Sequence, residues 1–110
     1  MNSCRKGKVG EREWRDVMRE NGFLQARRTQ QFCGTAGDSD VTCPELPNFH
    51  WEVKRVEKLN LNDAMAQAIR DCGSKMPVVA HRKNNCPWLV TVTADVFFKL
   101  IRESEQIKSI

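Results

Sequence analysis

Apolar residues recur along the chain at two spacings, and the spacing changes where the secondary structure is expected to change. Trp14, Val17 and Met18 fall at i, i+3 and i+4 inside a charged stretch, the stripe of a surface helix. That helix is expected from about residue 9 to 21, ending at Gly22, because glycine accepts the positive φ of a helix stop. Residues 1–7 read as a loose basic tail. Phe23 to Gln31 reads as a strand entering a loop, Phe32 to Ser39, in which Gly34, Gly37 and Asp38 permit tight turning. A short strand, about Asp40 to Cys43, leads into the turn Pro44-Glu45-Leu46-Pro47-Asn48, and Phe49 to Glu57 is a strong strand. A second helix is expected over Asn62 to Cys72, with Ala64, Met65, Ala68, Ile69 and Cys72 on one face and Gly73 after it. Met76 to His81 is continuously apolar, as in a strand covered on both faces. Arg82 to Pro87 is a polar loop, and Trp88 to Thr93 alternates between two faces. A last helix, Ala94 to about Glu105, is expected to bury Val96, Phe97, Leu100 and Ile101. The order α-β-β-β-α-β-β-α predicts an α/β fold, a mixed β-sheet flanked by helices.

Composition narrows the class. The 110 residues are 40% hydrophobic and 29% charged, which fits one globular domain over residues 1–110 and argues against wholesale disorder. Apolar runs stay at a few residues (Val78-Val79-Ala80), so no membrane partner is expected. Arg5, Lys6, Lys8, Glu11 and Arg12 stand where a signal peptide would be apolar, so a cytoplasmic location is expected. The five cysteines, Cys4, Cys33, Cys43, Cys72 and Cys86, are odd in number and lack C-x-x-C spacing, and His50 and His81 lie far apart. No zinc site or disulfide framework can be read from them; reduced, mostly buried thiols are expected.

Charge adds a partner class. The net charge of +4 resides in residues 1–31, which hold Arg5, Lys6, Lys8, Arg12, Arg15, Arg19, Arg27 and Arg28 against Glu11, Glu13, Asp16 and Glu20. A polyanion such as nucleic acid is the natural partner of such a segment.

The chemistry centres on Asp38-Ser39-Asp40 and, after eleven intervening residues, Glu52-Val53-Lys54. In a strand, residues i and i+2 share a face. Glu52 and Lys54 therefore point one way, and Trp51, Val53 and Arg55 the other. Asp40 opens the neighbouring strand of a hairpin and reaches Glu52 if the register brings the faces together. Two adjacent carboxylates repel unless a cation lies between them, and hard oxygen ligands suit Mg²⁺ or Mn²⁺. A lysine beside them can steady a hydroxide or a charged phosphorane. An isolated Glu-x-Lys is usually a solvated strand face. Large apolar neighbours, the upstream Asp and the preceding helix argue for a site here.

That helix can be mapped at 100° per residue from Glu11. Trp14 and Met18 fall at about 300° and 340°, so Glu11 borders the buried stripe. Arg15, Arg19 and Arg12 follow at about 40°, 80° and 100°, while Glu13, Asp16 and Glu20 gather between about 140° and 200°. A carboxylate facing the sheet beside an arginine stripe suits a metal next to a phosphate backbone. A solvated helix with i,i+4 ion pairs gives the same pattern. Gln67 is expected on the solvated side of helix two, His81 in a capping or surface role, and Trp51 and Trp88 in packing.

Gly10-Glu11-Arg12-Glu13, the strand with Arg27-Arg28, the glycine-containing loop to Asp40, and Trp51-Glu52-Val53-Lys54 resemble the PD-(D/E)XK nuclease superfamily. Within it they look most like archaeal-type Holliday junction resolvases and their small phage relatives. The resemblance spans about Lys6 to His81 and implies an αβββαβ core with a C-terminal strand and helix. It implies catalytic roles for Glu11, Asp40, Glu52 and Lys54. Mg²⁺, for which Mn²⁺ substitutes, would be held by Asp40, Glu52 and the Val53 carbonyl, with Glu11 assisting. Arg12 and Arg27 or Arg28 would contact DNA, with Arg15 in the same stripe. Ser39 stands where that family usually has Pro or a small residue. Asp38 is a second acid two residues earlier, and Asp40 is favoured as the ligand because it lies nearer the strand. The expected activity is Mg²⁺-dependent endonucleolytic cleavage of four-way DNA junctions by a homodimer, leaving 5′-phosphate and 3′-hydroxyl ends, with no nucleotide cofactor. If the chain is phage-encoded, its location is the host cytoplasm. Alternatives are a nuclease of this fold acting on other branched or linear DNA, and a non-catalytic DNA-binding module.

Overall fold

The computed structural model describes residues 3–29 and 39–104, with side chains from residue 7 onward. Helix α1 (Ser3–Glu20) is followed by strands β1 (Arg27–Arg28), β2 (Val41–Thr42) and β3 (Phe49–Arg55), helix α2 (Leu61–Asp71), strands β4 (Met76–Arg82) and β5 (Leu89–Val92), and helix α3 (Ala94–Arg102). The five strands form one sheet in chain order. β3 and β4 are parallel, joined by α2, and the other neighbours are antiparallel. The fold is thus the expected α/β class, a mixed sheet flanked by helices.

The two sheet faces carry different helices. Trp14 of α1 packs, with its ring tilted, against Trp51 of β3 at 5.6 Å and against Trp88 at 5.2 Å. Met18, Val53, Val78 and Ala80 complete that core. On the opposite face Val79 packs against Ala64 and Ala68 of α2. Helices on both faces explain why the centre of β4 is apolar on both sides: Val78, Val79 and Ala80 are all buried. Trp51 and Trp88 serve packing, as expected.

Several boundaries differ from the sequence reading. α1 begins at Ser3, so most of the expected loose tail is helical. Its end is a paired backbone cap: Gly22, at φ +98°, donates to Arg19 O and Phe23 to Met18 O. This cap turns the chain back at once, so Phe23 to Ala26 forms a turn, and the described part of the expected strand over 23–31 is β1. Residues 30–38, with Asp38 and the expected glycine loop, lie outside the described residues. Asn60 caps α2, its side chain accepting from Asp63 N–H. In α2, Ala64 and Ala68 are buried as expected, while Ile69 is exposed. In α3 only Val96 is buried; Phe97, expected inside, is 50% exposed.

Candidate active site

Alternation along β3 sorts the chemistry. Trp51, Val53 and Arg55 face α1, and His50, Glu52 and Lys54 face the side covered by α2. Lys54 Nζ donates to Gln67 Oε1 of α2 at 3.2 Å. On the other face Arg55 Nε donates to Glu13 Oε2 of α1 at 2.9 Å.

Asp40 sits where β2 meets β3. Its N–H donates to Trp51 O at 2.9 Å, and its Oδ2 accepts from Val53 N–H at 2.8 Å. The carboxyl is thereby fixed beside the backbone of Glu52 and Val53. Burial, reinforced by the negative charge of Glu52 and then Glu11, pushes the Asp40 carboxyl up to about 7, against the Val53 hydrogen bond and Lys54. Glu11, half-buried on α1, is also raised above the ordinary carboxylate range by burial, although its ion pair with Arg28 at 3.2 Å opposes the shift. Glu11, Asp40 and Glu52 are therefore within coulombic reach of one another, with Lys54 alongside. The hairpin register, Val41 opposite Trp51, sets Asp40 beside Glu52.

Glu52 is only 3% exposed. Its Oε1 lies 3.1 Å from His50 Nε2, and His50 Nδ1 lies 2.9 Å from Ser39 Oγ. The tautomer of the ring sets which partner donates in each of these two contacts. The Ser39 hydroxyl closes the chain by donating to or accepting from Nδ1. Ser39 precedes Asp40, so the buried chain Ser39–His50–Glu52 ties together the segments that carry two of the carboxylates. In the sequence alone, His50 stands out only as a histidine without zinc-ligand spacing. The signal that could have found it is the alternation that puts His50, Glu52 and Lys54 on one face.

The basic residues divide. Arg12 and Arg27 are exposed. Arg28 is engaged with Glu11, Arg15 with Asp16 at 3.0 Å, and Arg19 with Ala26 O at 2.9 Å. Glu13 does not lie on a solvated acidic side: it bridges Arg55 and Arg82, both at 2.9 Å. Gln67 is likewise a partner of Lys54 and not a solvated residue. His81, the register partner of Lys54, bonds Thr91 Oγ1 at 2.8 Å, and burial lowers its pKa. Beyond the carboxyl ends of the parallel strands lies a cavity of about 580 Å³, lined by Val56, Lys58, Leu59, His81, Lys83 and Leu89 among others. That is where open α/β sheets present ligand clefts.

Among the described residues, no three His, Cys, Asp or Glu side chains are gathered closely enough to hold an ion as they stand. Each carboxylate leans on a protein donor: Glu11 on Arg28, Asp40 on Val53 N–H, Glu52 on His50. The candidate ligands are all oxygen donors, which suits a hard divalent cation. No protein-family model, curated protein or solved structure matches the chain.

Proposed function

We propose that this protein is a divalent-metal-dependent DNA endonuclease of PD-(D/E)XK type, selective for branched DNA such as four-way junctions. The observation that carries the reading is the hairpin register, Val41 opposite Trp51, which sets Asp40 beside Glu52 with its carboxyl on Val53 N–H at 2.8 Å and Lys54 two residues further along the strand. Carboxylates gathered in this way repel one another, and a cation relieves the repulsion.

Asp40 and Glu52, with Glu11 and the Val53 carbonyl, would hold Mg²⁺ or Mn²⁺. When bound, the metal acidifies water and offsets charge on the phosphate oxygens. Lys54, steadied by Gln67, orients the attacking water or offsets the negative charge that develops at phosphorus. His50 holds Glu52 in place. Arg12 and Arg27 lie exposed on the helix and strand beside Glu11, positioned to hold phosphates of the backbone. A homodimer suits the substrate, because a two-fold axis sets two sites on the symmetric strands of a junction.

The test is cleavage of a synthetic four-way junction, a flap and a linear duplex, with Mg²⁺ and with chelator. Junction cleavage that needs Mg²⁺ and is abolished by Asp40→Asn supports the proposal. Equal cleavage of linear duplex would leave a nuclease without branch selectivity. Binding with no cleavage of any DNA would sink the catalytic reading and leave a DNA-binding module.

A further inference from the structure

Eight large apolar side chains are exposed among the described residues, and four of them, Leu89, Val90, Phe97 and Phe98, lie in β5 and α3. Leu24 and Ile69 stand singly, as surface apolar residues commonly do. Leu89 and Val90 are successive residues of β5 and face opposite sides of the sheet, whereas the pair on α3 is patterned. Ala94, Phe97, Phe98 and Ile101 recur at i, i+3, i+4 and i+7, a complete apolar stripe on α3. Phe97 and Phe98 are 50% and 55% exposed, and their rings pack on each other at 5.6 Å. α3 is anchored instead through Val96, about a quarter-turn or more away from that stripe. Ala94, Phe97 and Phe98 of the stripe are exposed, and Ile101 is partly buried.

Among the described residues, β5 also presents an unpaired edge. β5 pairs only with β4 and ends the sheet. Its sequence, Leu89-Val90-Thr91-Val92, contains no charge and no proline, the devices that usually keep an exposed edge from pairing.

We propose that a second copy of this chain packs on this face, α3 against α3 in antiparallel orientation about a two-fold axis, with the edge of β5 at its margin. The charge pattern favours a copy over an unrelated partner. With the axis between Phe97 and Phe98, Phe97 meets Phe98 of the other copy and Ala94 meets Ile101. Asp95, Lys99 and Arg102 share one flank of the stripe, at about 0°, 40° and 340°. In the antiparallel pair this flank meets itself, so Asp95 of each copy lies opposite Lys99 and Arg102 of the other. The arrangement is self-complementary, as an isologous interface requires. This surface would serve the homodimer proposed above, but the observations behind it do not depend on nuclease activity.

The test is the mass of the full chain by light scattering at micromolar concentration, beside Phe97→Glu/Phe98→Glu and Leu24→Glu. A dimer is expected for the wild type and for Leu24→Glu. The double Phe variant should be a monomer with an unchanged circular dichroism spectrum, an association at least about a hundredfold weaker. Because both rings are exposed, glutamates there leave the monomer fold intact. Asp95→Lys should also weaken the dimer, and Asp95→Lys/Arg102→Asp should restore it. A monomeric wild type, or a double Phe variant that stays dimeric, overturns the proposal. Cleavage of a flap, which needs one site, is followed in the same samples. Its absence in a dimeric wild type counts against the nuclease reading alone, and its persistence in a monomeric wild type against the interface alone.

Discussion

Asp40 is the residue on which the electrostatics of the site converge. Its carboxyl is raised from an ordinary 3.8 to about 7. The folded chain therefore keeps a proton that the unfolded chain has released at the same pH. The stability this contributes is whole below about 3.8 and is lost as pH rises to about 7. Metal-free protein should melt at a lower temperature at pH 8 than at pH 5, and Asp40→Asn should flatten that dependence. An unchanged pH slope in the variant would mean that another group governs it. Added Mg²⁺ or Mn²⁺ should stabilise the chain more as pH rises through about 7, because the cation competes with the Asp40 proton. His50 gives a second prediction. His50→Ala strands Glu52 Oε1 and Ser39 Oγ in the interior, at about 1–3 kcal/mol for each unsatisfied buried group. Denaturant titration should show a loss of roughly 2–6 kcal/mol, and calorimetry a weaker divalent-metal affinity. His50→Gln, which restores an N–H donor, should recover part of the metal affinity.

At the scale of elements, the packing of α1 on β3 decides whether Glu11 reaches the site. Gly10 makes that approach possible: a Cβ at this position would stand 2.6 Å from Arg55 Cβ, closer than real Cβ atoms approach. Alanine is the better helix former by about 1 kcal/mol, so a freely exposed helix would gain from Gly10→Ala. Here the helix must move off the strand, and the neighbouring Glu11 moves with it. Gly10→Ala should lower the melting temperature and reduce cleavage more than it reduces DNA affinity. A stabilised, fully active variant would show that α1 does not press on β3 at this point. The clamp of Glu13 on Arg55 and Arg82 works on the same packing. Glu13→Ala should cost about 1–2 kcal/mol in denaturant titration, since the three charged groups are only partly exposed.

Over the whole molecule, the positive charge is concentrated in residues 1–31. Removing an arginine that neutralises one DNA phosphate should flatten the dependence of log affinity on log salt by about one unit. Arg12→Ala should do this on a four-way junction, while Glu20→Lys, on the other side of α1, should leave the slope nearly unchanged. Equal effects from the two would show that the arginine side of α1 does not face DNA. Lys54→Ala should act differently, lowering kcat by about 10²–10³ with little change in junction affinity, as loss of a transition-state charge does.

Local geometry accounts for everything that was legible before the fold. A period of two over Phe49 to Arg55 divides that strand into one face with Trp51, Val53 and Arg55 and another with His50, Glu52 and Lys54, and no long-range information is needed for this. A period of 3.6 sets Trp14 and Met18 toward the core and Glu11 at its edge. The α/β class follows from the order of such segments. The partners, however, come from distant parts of the chain. Arg28 on Glu11, Glu13 between Arg55 and Arg82, Gln67 on Lys54 and Ser39 on His50 are separated by 11 to 69 residues. Period tells which side a residue faces, but not what stands opposite. The carboxyl of Asp40 is raised only because packing removes water and sets Glu52 and Glu11 nearby. Phe97 fits a buried helical face by periodicity, yet it stays exposed because α3 is anchored through Val96, leaving its apolar stripe on the outside.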